Sequence, residues 1–466
     1  YSREFLRNET KEVRLLGQGG DDVFQFSGEG KNKIIVRVIG GDGMDSVKNT
    51  AAIKGWGSPY KIYDLPAGIA INSRRHVIDK TSNDPSVNIY DRKAFRYPIL
   101  APLVYGTFNY DDGVFIGGGF LYTTHGFRKT PFKNQHLFLA SYAPLTSSYN
   151  FKYDGRFSQV FGKWGLMLDF DVKAPNFVNN FFGWGNETKF NSKIKDDPRY
   201  NLKRSIDYYR IRLEEIDLQA QLTHPIGGSG LFKIGPAYQR VEIERPKNNS
   251  RFIVDYANAL TDSLFENTKS FAGIRTGFVI DTRDNPVNTT RGIYLNQYSS
   301  FMKGFESDAG NFTSHNASIA FYQTFRFPAK LTFALRAGGG INTGNYQLYQ
   351  AQILDGKTEL RGYRKTRFYG DKDFYSNNEM RLKVASFRSY LFPASVGLLG
   401  FYDVGRVWYK DATGKDPSAA DGKSTQWHHG VGGGLWLTPF NMAVVSAEVA
   451  HSTDGNMFYV RLGFLF

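Results

Sequence analysis

Phe458-Tyr459-Val460-Arg461-Leu462-Gly463-Phe464-Leu465-Phe466 closes the chain, and its reading decides the fold. Phe458, Val460, Leu462, Phe464 and Phe466 occupy alternate positions, so on an extended backbone they share one face. An amphipathic helix would need apolar residues at i, i+3 and i+4. Further back the same period recurs. Met380, Leu382 and Val384 alternate with Glu379, Arg381 and Lys383, and Ile211 and Leu213 alternate with Arg210, Arg212 and Glu214. From Tyr97 onward the chain consists of such segments of about ten residues separated by turns, the pattern of strands that cross a bilayer with lipid-facing and lumen-facing side chains in turn.

Composition agrees. The 466 residues include 39 Phe, 28 Tyr and 49 Gly but no Cys. The mean hydropathy of −0.41 and the lack of any apolar run near the ~18–20 residues of a spanning helix exclude a helical membrane protein. Disulfides, cysteine-ligated zinc and a thiol nucleophile are excluded too. The net charge is +14, of which +11 follows residue 95. It is scattered rather than gathered into a basic run, which argues against nucleic acid. A charged lumen and loops facing lipopolysaccharide phosphates use it better. The chain opens on Tyr1 without Met, basic stretch or apolar run, so a removed export signal or a larger precursor is expected.

Sixteen segments can be counted between residues 100 and 466. An even number puts both ends on the periplasmic side. The long connections (174–203, 245–269, 342–374 and 409–427) follow odd segments, and short ones such as His224–Ser229 follow even segments. Bacterial barrels pair long outer loops with short periplasmic turns. The predicted fold is therefore all-β: a 16-stranded antiparallel transmembrane β-barrel over residues 96–466. Residues 1–95 form a short periplasmic β-rich segment and connector, with strands near Glu12–Leu16 and Lys33–Ile39 and an irregular stretch beyond. An open edge in hydrocarbon would leave backbone groups unpaired at several kcal/mol each, so the first and last strands must meet. That seam would run through Gly106 and Gly463 to Phe466, the two glycines weakening side-chain packing.

Two motifs carry more than a fold. Asp281-Thr-Arg283-Asp284-Asn-Pro286-Val-Asn-Thr-Thr-Arg291-Gly292 lies in the turn after the eighth strand, and Leu360-Arg361-Gly362-Tyr363 lies in the long loop after the eleventh. On spacing alone the first is a Pro- and Asn-rich turn and Arg361 a solvated loop residue. Together, however, they resemble the D-x-R-D-x-P-x-x-P-x-R-G and V-R-G-F/Y signatures of the BamA-type superfamily, the bacterial surface antigen family, with Thr289 where Pro is usual. Phe182-Gly-Trp-Gly-Asn-Glu-Thr188 and Gly430-Val-Gly-Gly-Gly434 resemble the family's third outer loop and fourteenth strand. The resemblance implies a Gram-negative outer-membrane protein that inserts or translocates proteins or lipids. It also implies a sixth loop folded into the lumen, its Arg361 meeting Glu379 and Asp403. Glu379 falls on the polar phase of its strand, whereas Asp403 shares its phase with Phe401 and Val407, which leaves its facing open. The implied partners are outer-membrane lipids and lipopolysaccharide, with a protein client or periplasmic subunits. The family's periplasmic POTRA repeats have no counterpart in residues 1–95.

Residues 9–47 also resemble the connector of proteins that fuse a calcineurin-like metallophosphoesterase to such a barrel. The alternative function is therefore a membrane anchor or export module for an upstream metallophosphoesterase. This chain itself is expected not to be an enzyme. Asp421-Gly-Lys-Ser-Thr425 ends like a P-loop but has Pro417 at the required first Gly, and the adjacent His428 and His429 point to opposite faces. No cofactor is expected, with one weak exception. Gly40-Gly-Asp42-Gly-Met-Asp45-Ser-Val47 fits a calcium β-roll nonapeptide, and Gly17–Phe24 nearly does, which makes Asp22, Asp42 and Asp45 calcium candidates. The copies stand 23 residues apart instead of 9 or 18, so plain Gly-Asp turns are the preferred reading.

Overall fold

The computed structural model describes the chain except residues 56, 93–94, 110–112, 261–267, 327, 389–392, 411–425 and 441–442. The P-loop-like Asp421–Thr425 lies outside the described residues. The chain divides into two compact units: residues 1–97 with 125–130, and 98–124 with 131–466.

The first unit is a stack of parallel strands. β1 (Glu12–Gly19), β2 (Val23–Phe26) and β3 (Glu29–Gly30) make one coil; β4 (Ile35–Asp42), β5 (Asp45–Asn49) and β6 (Ala52–Ile53) make the next. β7 (Tyr60–Tyr63) and β8 (Ile69–Ile71) form a third coil, and β9 (Val77–Asp79) begins a fourth. The sheets run β1-β4-β7-β9, β2-β5-β8 and β3-β6, all parallel. Glu12 pairs with Ile35, Val23 with Ser46 and Glu29 with Ala52. The 23-residue spacing of the two Gly-Asp segments is thus one turn of a β-solenoid, and its strands run on to Asp79 within the stretch expected to be irregular. Parallel stacking repeats each side chain above its predecessor, and Phe26, Val38, Val47, Ala51, Tyr60 and Ile62 form the core.

The second unit is a closed antiparallel barrel of sixteen strands. In chain order these are β10 (Ile99–Asn109), β11 (Gly113–Gly126), β12 (Lys129–Ala143), β13 (Ser148–Phe161), β14 (Trp164–Asn180), β15 (Arg210–Ile226), β16 (Gly230–Glu242), β17 (Lys269–Asp281), β18 (Gly292–Gly304), β19 (Asn311–Phe325) and β20 (Lys330–Gly344). After β21 (Gln352–Leu354) and β22 (Phe368–Gly370), which pair with each other inside a loop, come β23 (Lys372–Arg388), β24 (Pro393–Trp408), β25 (His428–Pro439), β26 (Val445–Ser452) and β27 (Gly455–Leu462). No helix among the described residues is long and apolar enough to span a membrane; the strands do so. Alternation decides facing: Leu398, Tyr402 and Trp408 of β24 are exposed outward, while Leu399, Phe401, Asp403 and Val407 are buried inward.

Two expectations about facing are corrected. Ile211 and Leu213 do not face lipid. They are buried with Phe181, Trp184, Tyr256 and Tyr369, because at this end of the barrel long loops fold inward and supply an apolar core. The C-terminal face also breaks. Phe458 and Leu462 stay exposed, but β27 ends at Leu462 and Gly463 takes φ +108°, a conformation open to glycine at no steric cost. Phe464 then packs against Trp436, and Phe466 against Tyr322.

Candidate functional site

The segment between β20 and β23 is a plug. Its strands β21 and β22 form a hairpin base, and the tip between them, Leu360-Arg361-Gly362-Tyr363, is fully buried against the inner wall. Arg361 has no exposed surface. Its Nε donates to Asp403 Oδ2 at 2.7 Å and a terminal nitrogen to Asp403 Oδ1 at 2.8 Å, a bidentate fork of the kind that makes Arg–carboxylate recognition geometrically specific. The other terminal nitrogen reaches Glu379 at 2.6 Å and Glu448 at 3.3 Å. The guanidinium lies 3.5 Å from the centroid of the Phe401 ring. That contact resolves the phase of Asp403: its apolar companions Phe401 and Val407 face inward as well, where the plug covers them.

Glu448 is the member the sequence reading missed. β26 alternates buried Ser446, Glu448, Ala450 and Ser452 with more exposed neighbours. A lone acid on the small, polar phase of a strand was the available signal. Arg381 extends the cluster. It donates to Glu379 at 2.8 Å and to the main-chain oxygen of Phe466 at 2.9 Å, and its guanidinium sits 3.9 Å from the Phe464 ring centroid. One charge network therefore runs from the plug tip through Glu379 to the C-terminal residue.

The plug also grips the last two strands directly. Gly362 N–H donates to the Tyr459 hydroxyl at 3.1 Å, Ser452 Oγ donates to Gly362 O at 2.6 Å, and Arg461 donates to Lys357 O at 2.5 Å. On β25, Gly430 is the surface over which the plug backbone passes: a Cβ there would stand 1.8 Å from Arg361 O. On the opposite side of the lumen, a polar cavity of about 510 Å³ remains beside Gln219, Lys233, Arg275, Asn296 and Gln297.

The Phe182–Thr188 loop clamps the plug from above. Asn186 donates to Val407 O at 2.7 Å and accepts from Val407 N–H at 3.0 Å. Gly185 N–H donates to Tyr369 O at 2.8 Å. Arg367 donates to the Thr188 hydroxyl and carbonyl at 2.6 and 2.8 Å. Asn186→Ala leaves two buried backbone groups of Val407 unpaired, at about 1–3 kcal/mol each. Urea unfolding followed by Trp fluorescence should show a lowered midpoint, and an unchanged midpoint would remove Asn186 from the clamp.

The Asp281–Gly292 turn is braced mainly by its own hydrogen bonds and meets the edge of this cluster through Tyr322, which bonds Arg283 and faces the Arg381 guanidinium. Arg283 forks onto Asp281 at 2.9 and 2.7 Å. Asp284 accepts from the backbone N–H of Asn285, Thr290 and Arg291. Partial burial would raise the Asp284 carboxyl, but the Thr290 hydroxyl and these N–H donors hold it below the usual carboxylate range. Thr289 donates to Asn285 O at 2.7 Å, so a hydrogen bond fastens the position where Pro is usual. Pro286 follows Asn285, whose side chain accepts from Val287 and Asn288. Arg291 and Gly292 lead into β18.

At the seam, β10 and β27 share one register pair among the described residues, Phe108 with Val460; on its other edge β10 pairs with β11 from Ile99–Thr123 through to Asn109–Gly113. Gly106 therefore has a regular partner on β11, Ile116, and none on β27 among the described residues.

A sixteen-stranded barrel with an inward-folded loop pinned by a buried Arg–carboxylate cluster defines a class of outer-membrane protein. The Omp85 superfamily domain matches residues 140–463, and the chain belongs to that superfamily. Among solved structures, BamA from Haemophilus ducreyi lacking POTRA domains 1–3 is similar in fold, at 11% identity and a TM-score of 0.55, with 79% of this chain and 70% of that chain covered. CdiB from Acinetobacter baumannii aligns at 13% identity over 79% of this chain and 60% of its own, with a TM-score of 0.45. No curated protein matches.

Proposed function

We propose that this barrel inserts or translocates polypeptides at the outer membrane by parting β10 from β27, with both termini periplasmic and the long loops outside. The observation that carries the reading is the seam: a single register pair among the described residues, beside a last strand that stops at Leu462 and turns its tail inward. Unpaired strand edges are costly in lipid and are templates for an incoming strand. A client strand that pairs with the freed edge offsets that cost, so the exchange needs neither cofactor nor nucleotide. The plug holds β26 and β27 through Ser452, Tyr459 and Arg461. Opening therefore means moving β27 with the plug or away from it, and the plug sets the resting state.

On this reading the chain is not an enzyme. Its partners are outer-membrane lipids, lipopolysaccharide phosphates at the long loops, and an unfolded protein client or periplasmic subunits. The family and structural matches concern the barrel and lend no support to an upstream metallophosphoesterase.

The test uses the absence of native thiols. Phe108→Cys with Val460→Cys should form a disulfide on oxidation and stop insertion of a urea-unfolded barrel protein into proteoliposomes, with recovery on reduction. Full insertion by a barrel shown to be completely cross-linked would exclude lateral opening.

A further inference from the structure

The β-solenoid carries a ladder of carboxylates at the corner between its first two sheets. Asp22 and Asp45 open β2 and β5 one coil apart, and the Asp22 N–H donates to Asp45 Oδ1 at 2.9 Å. In the third coil the chain departs from the repeat. Ile39 pairs with Tyr63, so Asp64 follows in the column where the earlier coils have Gly17 and Gly40. Its side chain turns under Gly40: a Cβ on Gly40 would stand 2.1 Å from Asp64 Oδ2 and 2.2 Å from Asp45 Oδ2. The missing Cβ is thus the space that two carboxylate oxygens share. Asp45 and Asp64 are 3% and 0% exposed.

Their hydrogen bonds are one-sided. Asp64 Oδ1 accepts from Leu65 N–H and Asn88 Nδ2, both at 2.6 Å. Yet Asp22 Oδ2, Asp45 Oδ2, Asp64 Oδ2 and Asn88 Oδ1 are all buried without a donor. Two of these, Asp45 Oδ2 and Asp64 Oδ2, meet in the space beside Gly40, where buried anions need a positive partner.

We propose that this corner binds a hard divalent cation, calcium, bridging Asp45 and Asp64 with main-chain oxygens and water completing the shell. An all-oxygen donor set selects a hard cation. Calcium tolerates irregular geometry at about 2.3–2.6 Å and accepts carbonyl oxygens among its six to eight ligands. Among the described residues no group of three or more Asp, Glu, His or Cys side chains is placed to hold a metal ion by itself, so the two carboxylates would share the ion with main-chain oxygens and water. Affinity should fall in the weak class of about 10⁻⁴–10⁻³ M. The set differs from the nonapeptide candidates: Asp42 is exposed at the end of β4 and lies outside it, and Asp64 takes its place. The inference is independent of the seam.

The test is calcium titration of the detergent-purified full chain by calorimetry, with protease protection of residues 1–97 compared in calcium and in EGTA. Calcium should bind and slow cleavage. Asp45→Asn and Asp64→Asn, each close in shape, should weaken binding about tenfold or more, and Gly40→Ala should do the same with every carboxylate retained. Asp42→Asn should bind like wild type. Because wild type with and without chelator needs no mutation, a variant that misfolds does not hide the answer. No calorimetric signal at millimolar calcium overturns the proposal, as does binding that survives both Asn substitutions or that magnesium reproduces at equal affinity.

Discussion

Arg361→Ala should release the plug. In the wild type this side chain has no exposure and satisfies Asp403 bidentately while touching Glu379 and Glu448. Its loss strands those carboxylates unequally. Glu379 keeps Arg381 at 2.6 Å, and Glu448 keeps Ser446, with Arg461 at 3.6 Å. Asp403 loses both of its guanidinium bonds in the dry contact beneath the loop. Removing one partner of a buried pair costs about 3–5 kcal/mol, chiefly because the other charge is left behind. The barrel need not bear that cost if the loop lifts and lets water in, so the expected result is exposure of residues 355–371 to protease in a barrel that still forms. Arg361→Lys should restore little, since an ammonium cannot reproduce the fork. A cycle of Arg361→Ala and Asp403→Ala should show coupling well above 0.5 kcal/mol. Wild-type protease resistance in Arg361→Ala would sink the claim that this cluster seats the plug.

How much of this was legible in the sequence follows from what each part of the chain faces. A strand with lipid on one side and water on the other must alternate, so all sixteen spanning strands could be counted from period two alone. Alternation misleads where the inner side is not wet. Ile211 and Leu213 read as lipid-facing until the loop core that covers them is known, and Phe401 and Val407 obscured Asp403 for the same reason. The plug residues came from motif resemblance, because an inward-folded loop leaves no periodic trace. Glu448 had no motif and sits singly on its strand. The last strand was over-extended because Phe464 and Phe466 continue the alternation on paper, while Gly463 turns them onto Trp436 and Tyr322. In the solenoid the 23-residue spacing counted against a repeat only because shorter β-roll periods were the comparison. Parallel stacking constrains the register of coils and leaves their length free, and Asp64 breaks the Gly-Asp rhythm at the very residue that joins the ladder.

Gly430→Val should displace the same loop by a different cause, and the pair of variants separates charge from space. At Gly430 the plug backbone approaches so closely that a Cβ would stand 1.8 Å from Arg361 O and 3.0 Å from Arg361 C. The obstacle is main chain on both sides: β25 is fixed by its ladders to β24 and β26, and Arg361 is fixed by its carboxylates. No rotamer change relieves such a clash. Overpacking that backbone must absorb costs about 1–3 kcal/mol, and here lifting the plug tip is the cheapest relief. The Arg361 network is chemically intact in this variant, yet its geometry depends on ångström-scale placement of the tip. Residues 355–371 should become protease-sensitive as in Arg361→Ala. Because Ser452, Tyr459 and Arg461 then lose their plug partners, spontaneous opening of the seam should rise in both variants. It can be read as faster thiol labelling of a lone Val460→Cys. Gly430→Ala should fall between wild type and Gly430→Val, since a methyl group meets the same oxygen with less bulk. If Gly430→Val cleaves and labels like wild type, the plug does not rest on β25, and the hold of the plug on the last strand is not what keeps the seam closed.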